Sequence, residues 1–149
     1  MSAGTSTIHA SAVLIGAKAV LIRGPAGSGK SRLAWDLLQA ATQGLLPFAR
    51  LVADDRVHHD VHTGRLLVRP AAELAGLIEI HGLGIRRLVF EPVAVVGLVV
   101  DLAAADAARL PDAKAATTVI SGITLPRLAV AAGMAALTLV LAALRTNPD

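Results

Sequence analysis

Residues 24 to 31 read Gly24-Pro25-Ala26-Gly27-Ser28-Gly29-Lys30-Ser31, a full match to G-x-x-x-x-G-K-[ST]. Glycines let such a loop curl with its backbone N–H groups pointing inward, where they cradle phosphate oxygens. A helix that starts directly after the loop adds its positive N-terminal end. Lys30 can then reach the β- and γ-phosphates, and the Ser31 hydroxyl can bind magnesium. The pattern therefore requires a strand before it and a helix after it, and both are predicted. Val20 to Arg23 is a short apolar run leading in. Ser31 to Gln43 places Leu33, Ala34, Leu37, Leu38 and Ala41 on one helical face, and Gly44 would stop it. The expected ligands are ATP and Mg2+, held by Gly24, Pro25, Ala26, Gly27, Ser28, Gly29, Lys30 and Ser31.

The rest of the chain supplies mostly strands. Ala10 to Ile15 and Val20 to Arg23, separated by Gly16-Ala17-Lys18, read as two strands joined by a tight turn. Arg50 to Val57 reads as a strand, and Val61 to Val68 as a hairpin about His62-Thr63-Gly64. Ala71 to Ala75 suggests a helical turn, Leu77 to Ile80 an apolar run before Gly82-Leu83-Gly84, and Val93 to Leu102 a further strand. Thr117 to Leu125 holds one or two short strands. Leu128 to Leu144 is uncharged and Ala-rich between Arg127 and Arg145, and reads as a closing helix. It is short of the roughly 20 apolar residues that span a bilayer, so a buried core helix is expected rather than a membrane span. No repeat or linker divides residues 1 to 149, and one domain is expected.

Composition removes several function classes. The chain is 54% hydrophobic and 17% charged, so disorder is not expected. Its sequence pI is about 10.2, but the formal charge is only +3. Arginine makes up most of the basic residues, and no Tyr or Cys titrates in the alkaline range. Without basic runs, and with 2% aromatics for base stacking, nucleic acid is not an expected partner. The absence of cysteine excludes disulfides, thiolate metal sites and cysteine nucleophiles. Met1 to Thr7 has no basic-then-apolar signal pattern, and a cytoplasmic location is expected.

A phosphate loop binds a nucleotide but does not choose an acceptor. Transfer to a hydroxyl needs a base near the attacking oxygen and a carboxylate near the metal. Leu51-Val52-Ala53-Asp54-Asp55 is an apolar strand ending in two acids. Consecutive strand residues point to opposite faces, so two different roles are expected for Asp54 and Asp55. His58, His59 and His62 follow closely; neighbouring strand positions diverge, and a solvated surface is expected for them.

These segments resemble the catalytic domain of the HPr kinase/phosphorylase family, whose members phosphorylate a serine of the phosphocarrier protein HPr. The resemblance rests on Ile8-His9, the loop Gly24 to Ser31, Val52-Ala53-Asp54-Asp55-Arg56-Val57, and Ile78-Glu79-Ile80-His81-Gly82-Leu83-Gly84-Ile85. The last is similar to the family signature Glu-Ile-Arg-Gly-Leu-Gly-Ile. It covers residues 8 to 90, and Leu125-Pro126-Arg127 with the closing helix fits the family's end. The resemblance implies a mixed α/β (α+β) fold: a curved mixed sheet with packed helices, similar to the nucleotide domain of phosphoenolpyruvate carboxykinase. It implies that Asp55 is the base, that Lys30 stabilises the transferred phosphoryl group, and that His9 lies in the active site near the acceptor. It further implies that Ser31 and Glu79 bind magnesium, with Asp54 supporting the metal site. HPr or a paralogue is the implied acceptor, and a homo-oligomer, a hexamer in the family, the implied assembly.

The sequence departs from the family pattern in four places. It begins just before His9, as in the family's short form without an N-terminal domain. His81 stands where the signature has arginine, which removes a permanent bidentate cation. The long arginine-containing loop after the signature is missing, and the late basic segment is reduced to Thr124-Leu125-Pro126-Arg127. Kinase activity is expected to survive these losses better than phosphorolysis. A small-molecule kinase and a non-catalytic ATP-binding regulatory module are the rival classes. The first would need a lid and basic substrate-binding residues. Asp55 and Glu79 argue against the second.

Overall fold

The computed structural model describes residues 6 to 148. Strand β1 (Ser6–Ile8) runs through His9 into β2 (Ala10–Ile15), which turns at Gly16 (φ 62°) into β3 (Lys18–Arg23). The phosphate loop follows, then helix α1 (Lys30–Thr42), which buries Leu33, Ala34 and Leu37 of the predicted face together with Ala40, while Leu38 and Ala41 are half-buried. Strands β4 (Ala49–Ala53), β5 (Val57–His62) and β6 (Arg65–Pro70) come next. A short 3-10 turn (Ala72–Leu74) leads to a separate hairpin of β7 (Leu77–Ile80) and β8 (Gly84–Arg87). The chain closes with β9 (Ala94–Leu102), β10 (Thr117–Ile120), β11 (Ile123–Val130) and α2 (Ala136–Arg145).

The main sheet is mixed: β9 pairs parallel with β3 and β11, while the other pairs are antiparallel. Its path is β1-β5-β6-β9-β3-β2-β4, so the two ends are joined through the chain. Ile8 pairs with Val57 and Ala12 with Ala53, and between them the Ala10 N–H donates to the Asp55 carbonyl at 3.2 Å. Residues 6–15 and 49–62 thus form one antiparallel ribbon, bent at His9 on one arm and at Asp54 to Arg56 on the other. That bend curls the sheet around an aliphatic core of Ala10, Ala12, Leu21, Val57, Leu66, Val68 and Val99. A second core fills the outer face under α1 and α2, with Leu37, Leu51, Ile78 and Val140 at its centre. The expected class, a curved mixed sheet with packed helices, is the observed one.

Three expectations are corrected. Leu128 to Val130 belong to β11, in register with Val100 to Leu102, and the helix begins only at Ala136. The polypeptide turns between them, with Gly133 at φ 81°, a conformation that suits glycine. Arg50 to Val57 is not one strand either. β4 ends at Ala53, and Asp55 takes a left-handed φ of 70°, which Asp tolerates better than most residues. Finally, His59 is not solvated. It lies beside Val57 in the inward alternation of β5, only 6% exposed, with a buried Nδ1 that has no protein partner among the described residues. His58 is half-buried and His62 exposed.

Burial pushes the His59 imidazole below its ordinary pKa; Asp60 opposes this and His58 reinforces it. A histidine held neutral in the fold contributes stability that is fully present above its unfolded pKa, about 6.5. That contribution is lost as pH falls from there through the lower folded value. The melting temperature is therefore expected to drop between pH 7 and pH 5, less steeply for His59→Asn. Circular dichroism melts of both proteins check this, and equal slopes would remove His59 as the cause. Among the described residues, no helix is long and apolar enough to cross a membrane.

Candidate active site

Gly24, Gly27 and Gly29 all have positive φ (159°, 79° and 99°), and Gly24 shows why the first position must be glycine. A Cβ there would lie 2.5 Å from Ser28 Oγ and 3.1 Å from Leu102 Cβ, so a side chain would push the loop off the end of β9. Beyond Gly27 and Gly29 the space is open, as a phosphate cradle requires. Gly29 is the N-cap of α1 and provides no side-chain cap, so the first-turn N–H groups face the loop's concavity. Lys30 is half-buried, and its Nζ donates to the carbonyls of Gly24 (2.8 Å) and Pro25 (3.2 Å), which holds the ammonium at the loop.

Asp54 lies under this loop and is 5% exposed. Its Oδ1 accepts from Ser11 Oγ (2.6 Å) and Ser31 Oγ (2.8 Å). Its Oδ2 is 2.9 Å from Ser31 Oγ and accepts from the Glu79 N–H at 3.1 Å. All these donors are neutral, and among the described residues Asp54 has no cationic partner. A buried carboxylate normally needs one. A hard oxygen set of Asp54 and Ser31 beside a phosphate cradle fits a magnesium ion that also touches substrate phosphates. Glu79 is held nearby through its main chain; Ile78 anchors β7 in the core, and the Glu79 side chain is exposed.

Asp55 points elsewhere. Its side chain is exposed, with Oδ1 4.0 Å from the equally exposed Nδ1 of His9. The two meet because the bent ribbon brings residues 9 and 55 to the same corner. The acids do separate, as the sequence suggests, but a left-handed bend separates them rather than alternation along a strand. His81 is exposed in the turn between β7 and β8.

Sequence reasoning missed two parts of the site. Ser11 was visible only as a lone hydroxyl in the apolar run Ala10 to Ile15. The other is a charged network at the carboxyl ends of β3 and β9. Asp101 accepts from Arg23 at 2.7 and 2.9 Å and from Arg127 Nε at 2.6 Å. Arg127 also binds Asp106 twice, at 2.8 and 2.9 Å, and the Ala115 carbonyl at 3.0 Å. Burial pushes the Asp101 carboxyl up, but its bonds to Arg23 and Arg127 outweigh this and hold it below its ordinary value. Asp106 and Asp101 together raise the Arg127 pKa, so the guanidinium is charged and engaged. Arg23, Asp101 and Arg127 line a polar cleft of about 570 Å³. A smaller hollow of about 300 Å³ lies between Pro25 to Ser28, the end of β9 and the turn before α2.

The model of the family described as HPr Serine kinase C-terminal domain matches residues 2–146. The chain is also similar to the solved Hpr(Ser) kinase/phosphatase from Coxiella burnetii, with a TM-score of 0.74 and 25% identity. That similarity covers 94% of this chain and 88% of the other. No curated protein sequence matches significantly.

Proposed function

The chain belongs to the HPr Serine kinase C-terminal domain family, and on that premise we propose that it transfers the γ-phosphoryl group of ATP to a serine of HPr or a paralogue. The observation that carries this reading is the pairing of two acids with two jobs. Asp54 lies against Ser31 under the phosphate loop, and Asp55 faces outward beside His9. The serine hydroxyl oxygen attacks the γ-phosphorus, the bond to the β,γ-bridging oxygen breaks, and ADP leaves. Asp55 accepts the hydroxyl proton, and His9 orients Asp55. Lys30 stabilises the charge on the moving phosphoryl group. Ser31, Asp54 and Glu79 would hold magnesium, which neutralises charge on the β- and γ-phosphates. By the same family reading the protein is one cytoplasmic catalytic domain that assembles with copies of itself.

The test is incubation with γ-labelled ATP, magnesium and purified HPr-type acceptors. Label on an acceptor serine is the expected result. A folded protein that binds ATP and labels no acceptor would instead be a regulatory module.

The reverse reaction is expected to be slow. In phosphorolysis, inorganic phosphate attacks phosphoserine and pyrophosphate leaves, so two anions must be held together. Like charges that close repel strongly away from water, and fixed cations are needed. His81 replaces the signature arginine, and Arg127 is bound to Asp101 and Asp106. Arg86 and Arg87 are exposed on β8, directly after the signature, and are candidates to replace it. Pyrophosphate release from phosphorylated acceptor and millimolar phosphate measures this; a rate near the forward rate would refute it.

A further inference from the structure

The phosphate loop begins at Gly24, so Arg23 sets its point of departure. Arg23 is directly opposite Asp101 in the parallel β3–β9 pair, and their side chains form a two-pronged ion pair at 2.7 and 2.9 Å. The next residue on β9, Leu102, backs the loop: its Cβ and carbonyl oxygen lie 3.1 and 3.2 Å from where a Gly24 Cβ would be. The β3–β9 pairing slips in register between Ala19 and Val20, and then runs in register from Val20 to Arg23, so Arg23–Asp101 is the last pair of the ladder. Parallel ladders are the less stable kind per residue. The Asp101 carboxylate adds a side-chain clamp at the last pair before the loop, and Arg127 Nε holds that carboxylate from β11 at 2.6 Å.

We infer that Asp101 is a positioning residue for triphosphate binding, which aligns the start of the phosphate loop by clamping Arg23 against the end of β9 with Arg127 as its anchor. This rests on the reading of the loop as an ATP site. The clamp touches no reacting atom and acts on a loop that holds the phosphates both before and during transfer. Its loss therefore weakens ground state and transition state alike, which raises KM and leaves kcat near its parental value. A purely structural ion pair would lower the melting temperature without changing affinity in the folded protein. The network is also formed by geometry that lysine cannot reproduce, since only a guanidinium offers two parallel donors to one carboxylate.

The experiment measures ATP affinity by calorimetry, and KM and kcat for transfer, well below the melting temperature of each variant. Asp101→Asn and Arg23→Lys are expected to weaken ATP binding about tenfold, about 1.4 kcal/mol of binding free energy. The expected change in kcat is less than about threefold. Asp106→Asn releases only the outer end of Arg127 and is expected to change affinity less than about twofold, as for a surface pair. If Asp101→Asn does not fold, Arg23→Lys decides alone. Parental affinity in the folded clamp variants, or a loss confined to kcat, overturns the inference. A parent protein that binds no ATP overturns the functional reading as well, so the two failures are distinguishable.

Discussion

Lys30→Ala is expected to abolish phosphoryl transfer and to weaken ATP binding by about a hundredfold, since a hydrogen bond to a charged group is worth about 1.5–3 kcal/mol. The size of the effect follows from where the ammonium is held. Its Nζ is fixed by the Gly24 and Pro25 carbonyls, so little side-chain freedom is lost when a phosphate arrives. Alanine removes the cation and leaves the phosphates only the backbone N–H groups and the helix N-terminus. The fold should tolerate the change, because Lys30 takes no part in either aliphatic core. Calorimetry on a variant with a native circular dichroism spectrum is the check. Unchanged affinity there would mean that residues 24 to 31 are not a triphosphate site.

The two acids should fail in different ways. Asp55→Asn is expected to bind magnesium–ATP like the parent and to lose about two to four orders of magnitude in transfer, the range for a general base. Asparagine keeps the shape but cannot take the serine proton, and the exposed side chain contributes little to folding. Asp54→Asn should instead lose magnesium–ATP binding. Asp54 accepts from Ser11, Ser31 and the Glu79 N–H through both oxygens, whereas an amide offers one acceptor and adds N–H donors. At least one buried donor is then orphaned, and the carboxylate charge beside Ser31 is gone. Nucleotide binding and single-turnover transfer, measured on both variants, separate the roles. Should Asp54→Asn bind normally and fail only in transfer, the assignments of Asp54 and Asp55 are exchanged.

Local chemistry was legible in the sequence. The phosphate loop needs only its own glycines, the strand before it and the helix after it, all within residues 18 to 42. The β2–β3 hairpin and β9 were legible for the same reason: each carries its pattern and its turn signals within a few residues. The family resemblance brought His9, Asp55 and Glu79 into one picture, although nothing in their local sequence joins them.

Long-range structure decided the rest. Leu128 to Val130 looked helical because an apolar run buried on both faces has no period that distinguishes strand from helix. Pairing with β9, 28 residues earlier in the register, makes it a strand. His59 read as surface because its polarity says nothing about which way β5 alternates once the sheet curls. Asp101 and Arg23 carry no local signal and Arg127 stood out only by family resemblance, since their contacts join residues 78 and 26 positions apart. The sequence by itself thus determined the strand, glycine loop and helix from Lys18 to Thr42, because steric freedom and helix polarity are properties of adjacent residues. Only the tertiary structure decided that Asp54 turns under the cradle while Asp55 faces outward. The bend of the 6–15 and 49–62 ribbon directs those side chains, and that bend exists only when distant strands close the sheet.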